Sequence, residues 1–130
     1  MSKAKGSRAE RELLHKFYEN EWACARIAGS GSNPLPCPDL IAMKNKKALA
    51  IECKFHNGNY LNISRAQMNE LIQWKAFSGS EVTIAWKIPF KGWFFLSPSQ
   101  FKENSAAFSI SKEKALIEGI SLEKLVQSLQ

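Results

Sequence analysis

Two short apolar segments, 39–43 (Asp-Leu-Ile-Ala-Met) and 48–55 (Ala-Leu-Ala-Ile-Glu-Cys-Lys-Phe), stand only four residues apart. A link as short as Lys44–Lys47 lets two strands pair only in the antiparallel sense, as a hairpin. Side chains alternate along a strand, so Glu52 and Lys54 share one face while Leu49, Ile51, Cys53 and Phe55 take the other. Asp39 is the only aspartate in the chain and opens the first strand. With a tight turn around Asn45, the hairpin brings Asp39 beside the Glu52–Lys54 end of its neighbour.

The rest of the chain frames this hairpin. Ser7-Arg8-Ala9-Glu10 has the spacing of a capping box, and Leu13, Leu14 and Phe17 follow at helical intervals, which predicts a helix over 7–21. Residues 22–28 read as a strand with Trp22, Cys24 and Arg26 on one face. The ten-residue loop 29–38 begins with small residues and ends in three prolines. After a polar loop, Ser64-Arg65-Ala66-Gln67 offers a second capping box for a helix carrying Met68, Leu71, Ile72 and Phe77 and ended by Gly79. Segments 82–88 and 93–96 read as strands. Ser121 caps a last helix with Leu122, Leu125, Val126 and Leu129 along one side. The order α-β-β-β-α-β-β-α predicts an α/β fold, a mixed sheet of about five strands flanked by helices.

At 130 residues, 45% of them hydrophobic, the chain supplies one domain with a real core. No apolar run approaches the ~18 residues that span a bilayer, and the first six residues (Lys3 and Lys5 among them) read as a flexible basic arm with no secretory segment. Three cysteines at spacings that suit neither a disulfide framework nor a zinc ribbon fit an intracellular, cytoplasmic protein. Lys and Arg exceed Asp and Glu by 18 to 12, and residues 1–65 carry eleven of those bases against six acids. A basic half suits a polyanion, although it also suits plain solubility.

An isolated Glu-x-Lys is most often an ion pair on a solvent-facing strand. The hairpin changes that reading, because Asp39, Glu52 and the backbone carbonyl of Cys53 converge as oxygen ligands suited to Mg²⁺, with Mn²⁺ able to substitute. Lys54 beside them orients or deprotonates a water and counters phosphate charge. Asp, a dozen residues, then Glu-x-Lys is the PD-(D/E)xK nuclease signature, here Pro38-Asp39 and Glu52-Cys53-Lys54.

Together with its neighbours the sequence resembles the archaeal-type Holliday junction resolvases. The matching residues are Lys5-Gly6, Glu10-Arg11-Glu12-Leu13, Ala25-Arg26, Ala28-Gly29-Ser30-Gly31-Ser32, Pro38 to Ala42, Ile51 to Lys54, Gln67 and Ala85-Trp86-Lys87. The resemblance implies a restriction-endonuclease-like fold and a homodimeric, Mg²⁺-dependent endonuclease that nicks four-way DNA junctions symmetrically. It implies that Glu10 joins Asp39 and Glu52 at the metal, and that Ser30 or Ser32 stands beside the scissile phosphate. It also implies DNA contacts at Arg11 and Arg26; Lys5, Arg8 and Arg65 are further basic candidates. The alternatives stay open: Glu10 and Gln67 as caps, the serines as a plain flexible loop, Arg11 as a solvated helix residue. Strand 93–96 is apolar on both faces, which fits a core strand and, by the resemblance, part of a dimer contact. The rivals are a PD-(D/E)xK nuclease for other DNA structures and a junction-binding protein without catalysis.

Overall fold

Asn45 and Lys46 both adopt left-handed backbone, at φ 50° and 70°, and the strands on either side pair from Lys44–Lys47 onward. A two-residue loop with both φ positive matches the right-handed twist of its strands, so β2 (Leu40–Lys44) and β3 (Lys47–Phe55) form the expected hairpin. The structure is a computed structural model that describes residues 3–29 and 34–130, with side chains from residue 6 onward. Around the hairpin, β1 (Ala23–Arg26) pairs antiparallel with β2. On its other side β5 (Glu81–Ile88) lies parallel to β3, and β6 (Gly92–Leu96) pairs antiparallel with β5. The result is a five-stranded mixed sheet in the order β1-β2-β3-β5-β6.

α1 spans Lys3–Glu19, one turn earlier than the Ser7 capping box predicts. Ser7 therefore lies inside the helix, where its hydroxyl accepts from Arg26 instead of capping. The helix ends on Glu21 at φ 63°, with Trp22 N–H donating to the Phe17 carbonyl at 3.0 Å. That closure folds Trp22 back onto Phe17, ring edge to face at 6.5 Å.

β3 divides the core. Leu49 and Ile51 pack with Leu13, Phe17, Trp22, Leu40 and Phe95 under α1 and the last helix, α4 (Leu122–Ser128), which Ser121 caps as expected. Ala50 faces the other layer, with Met68 of α2 (Arg65–Ser78), Trp86 and Ile88. α2 begins at Ser64, whose hydroxyl accepts from Gln67 N–H, and stops at Gly79 with φ 72°.

Four elements lie outside the predicted order. The segment read as a polar loop contains β4 (Tyr60–Ser64), which joins β8 (Ala107–Ser111) and β7 (Lys102–Glu103) in a second sheet, β4-β8-β7. The fourth is a short helix α3 (Lys112–Glu118). Leu61 and Ile63 of β4 are buried with Ile110, so this small sheet roofs the α2 layer. β6 is an edge strand, but Phe95 exchanges two backbone hydrogen bonds with Ile120, and both Phe95 and Leu96 are buried within the chain. In the strand expected to help close a dimer, only these two residues are buried; Gly92, Trp93 and Phe94 stay partly exposed.

Candidate active site

Asp39 and Glu52 meet because of the hairpin register. Leu40 pairs with Ile51, and one residue before it Asp39 N–H donates to the Ile51 carbonyl at 3.1 Å. The Asp39 carboxylate then accepts from Cys53 N–H at 2.8 Å. An extended residue sends its N–H and C=O to the same edge of the strand, so the Cys53 carbonyl leaves β3 on the Asp39 side too. Glu52, on the opposite face of β3 from Cys53, lies close enough to Asp39 for the two carboxyls to interact.

The two carboxyls are poorly compatible as anions. Burial, then the Asp39 charge, push Glu52 up to about 8, against the pull of Lys54. At neutral pH the pair therefore holds a proton, or a cation in its place. Glu10 feels the same field: burial and then Asp39 raise its carboxyl, while Arg26 opposes them. Arg26 Nε donates to Glu10 Oε1 at 2.8 Å, and its Nη2 donates to Ser7 Oγ at 2.9 Å. Glu10 thus serves no cap. Among the described residues, no three carboxylate, thiol or imidazole groups converge tightly enough to hold one ion between them. Asp39 and Glu52 form the pair, and Glu10 stands behind it.

Lys54 Nζ lies 3.9 Å from Glu52 Oε2 and donates to Gln67 Oε1 at 3.2 Å. The capping reading of Gln67 is half right: its backbone N–H is the capped donor, but its side chain points to Lys54. Glu52 and Gln67 open on a cleft of about 210 Å³ that Pro36, Cys37, Asp39 and Glu70 also line. Glu70, a further acid in the cleft, carries no signal in the sequence beyond lying one turn after Gln67.

The basic candidates separate. Arg8 and Arg11 extend from α1 into solvent. Arg26 is engaged with Glu10. Arg65 pairs with Glu103 and the Asn104 carbonyl and lies over the Phe108 ring, so it staples α2 to the small sheet. Ser30 and Ser32 lie outside the described residues, as does the Lys5 side chain. Glu12, quoted above only as part of a motif, accepts from Lys87 Nζ at 2.6 Å and from Trp93 Nε1 at 3.0 Å. Partial burial raises its carboxyl, but those two donors outweigh it and leave it lowered.

With this geometry in place, comparisons with known proteins agree. The family model described as archaeal Holliday junction resolvase (Hjc) matches residues 1–130. The crossover junction endodeoxyribonuclease Hjc of Archaeoglobus fulgidus is 34% identical over 110 residues, 85% of this chain and 81% of that one. The crossover junction endodeoxyribonuclease Hje of Saccharolobus solfataricus is 35% identical over 72 residues, 55% of this chain and 53% of that one. The crystal structure of Archaeoglobus fulgidus Hjc, titled a Holliday junction resolvase from an archaeal hyperthermophile, superposes with a TM-score of 0.87 at 29% identity. The match covers 95% of this chain and 99% of that one.

Proposed function

This chain belongs to the archaeal Holliday junction resolvase family, and from that premise we propose that it resolves four-way DNA junctions by paired symmetric nicks, as a structure-selective endodeoxyribonuclease of recombination and repair. The observation that carries the reading is the Asp39–Glu52 pair, two neighbouring carboxyls in which burial, then the Asp39 charge, raises Glu52 to about 8. Such a pair suits a hard divalent cation, because all its donors are oxygen. Mg²⁺ is the proposed ion and Mn²⁺ its substitute, held by Asp39, Glu52 and the Cys53 carbonyl, with Glu10 adding negative charge from behind. A bound divalent ion polarises a phosphoryl oxygen and lowers the pKa of its water.

The chain's own groups do the rest. Lys54, steadied by Gln67 and Glu52, orients the attacking water and offsets charge on the phosphate. Arg26 holds Glu10 in place, which replaces the direct DNA contact expected of it. Ser30 or Ser32 places the scissile phosphate, and Lys5, Arg8 and Arg11 along α1 meet the DNA backbone. Arg65 drops out of that set because it is committed to Glu103. Backbone contacts of this kind read shape and weaken with salt.

Paired nicks need two active sites related by two-fold symmetry, and a homodimer supplies them. The supporting surface is α2 rather than β6: Leu35 and Phe77 are 72% and 81% exposed, and with Pro36 and Trp74 they line an apolar hollow of about 430 Å³. The test is Asp39→Ala. Cleavage of a four-way junction should vanish while junction affinity survives, and that affinity should drop steeply between ~50 and 200 mM salt. Normal cutting by the variant would sink the site assignment. Tight binding by the wild type with no cutting under any divalent ion would leave a junction-binding protein instead.

A further inference from the structure

The tip of the β5–β6 hairpin carries a residue that its own turn argues against. Lys91 N–H donates to the Ile88 carbonyl at 3.0 Å, closing a four-residue turn with Pro89 second and Phe90 third. Phe90 sits at φ 66°. A turn with proline second and left-handed backbone third favours glycine or asparagine there, since a bulky side chain in that conformation is strained. The ring gains nothing in return from packing, because Phe90 is 106% exposed. Neither the turn nor the core accounts for an aromatic side chain at this point.

Its position supplies an account. β5 runs parallel to β3, with Trp86 opposite Lys54 and Lys87 opposite Phe55. The hairpin therefore leaves the sheet at the same end as Glu52 and Lys54. Phe90 follows Trp86 by four residues, so at ~3.3 Å per residue it stands at most about 13 Å beyond the Lys54 rung. That reach is about four base steps of ~3.4 Å along DNA held at Lys54. The neighbouring charge favours the same occupant: Lys91, the next residue, is exposed, whereas Lys87 is spent on Glu12. An exposed apolar ring next to a lysine suits a nucleic-acid base above an anionic backbone.

We propose that Phe90 is a wedge that stacks on a base exposed at the branch point of the junction and sets where the nicks fall relative to it. The proposal rests on the nuclease reading above. Intact duplex covers every base face with a neighbour, whereas the centre of a four-way junction offers faces that an aromatic side chain can take. The wedge would thus supply junction selectivity that backbone contacts alone do not.

The test compares Phe90→Asn and Phe90→Tyr with the wild type on a four-way junction carrying 2-aminopurine next to the branch point. Binding is read by its fluorescence without divalent ion, and nick positions are mapped with Mg²⁺. Asparagine suits left-handed backbone, so Phe90→Asn should melt no lower than the wild type. It should nevertheless lose the fluorescence rise on binding and about tenfold in junction cleavage, with nick positions scattered, while Phe90→Tyr keeps all three. An Asn variant with unchanged fluorescence, rate and nick positions would overturn the wedge and leave the nuclease standing. A wild type that cuts no junction would instead remove the nuclease reading, and its fluorescence on binding would still decide the wedge. If Phe90→Asn changed the sedimentation of the protein alone, the ring would belong to a contact between copies and the wedge would fall.

Discussion

The two ends of the central sheet treat the same physical rules in opposite ways. At the β2–β3 turn, left-handed backbone falls on Asn45 and Lys46, both polar and solvent-facing, and no acid crowds them. At the other end of β3, Asp39 and Glu52 face each other, Lys54 lies between Glu52 and Gln67, and Phe90 holds left-handed backbone with its ring in solvent. One end is what a stable hairpin needs. The other keeps repulsion and strain that a scaffold would have shed, each costing on the order of 1–3 kcal/mol. Function is therefore expected where the rules are broken, and substitutions at the two ends should separate activity from stability.

The largest effect belongs to the carboxyl pair. Asp39→Asn should lower junction cleavage by at least ~10³-fold, since it removes a proposed ligand of the activating ion. It should also leave the metal-free protein as stable as the wild type or more so, because it relieves the repulsion on Glu52. Thermal melts beside single-turnover cleavage check both, and a strongly destabilised variant would mean that Asp39 is structural. Next comes Lys54→Ala, with an expected loss of ~10²–10⁴-fold in rate and little change in junction affinity. Gln67→Ala should follow with a smaller rate loss, because it only steadies the lysine.

A pH series sharpens the contrast. In the metal-free fold Glu52 keeps its proton up to about 8, against an ordinary value of 4.5. Between those values the unfolded chain has released that proton and the folded chain has not. The stability from this group is full below about 4.5 and is lost as pH rises toward about 8. Cation binding expels the same proton, so Mg²⁺ affinity should rise over the same window. Calorimetric titration at several pH values, with Glu52→Gln as the control, reads this directly; a flat affinity would contradict it. The smallest effect belongs to the far end. Asn45→Ala should cost ~1–2 kcal/mol of stability and leave cleavage unchanged, so a loss of activity there would break the comparison.

Which parts were legible in the sequence follows from the same contrast. The hairpin that joins Asp39 to Glu52 and Lys54 was readable because alternation, a four-residue link and a lone aspartate agree. The start of α2 and its stop at Gly79 were equally plain. β4 escaped although its Leu61 and Ile63 alternate with polar residues, because the asparagines and glycine around them mimic a loop. β8 is weakly apolar, and its partner β7 is only two residues long, so neither carries a period of its own. Ser7 and Glu10 do share a helix face three residues apart, as a capping box requires, but that face is turned to Arg26 on β1. No local pattern shows a partner sixteen residues away. The same holds for Gln67, whose side chain meets Lys54 only because the α2 layer covers β3.

The measurement that bears most directly on this account is cleavage of an end-labelled four-way junction beside a duplex of matching sequence, with and without Mg²⁺, by the wild type and Asp39→Ala. The account predicts symmetric, Mg²⁺-dependent nicks in the junction alone and none from the variant. Equal cutting of the duplex would contradict junction selectivity, and cutting by Asp39→Ala would contradict the site.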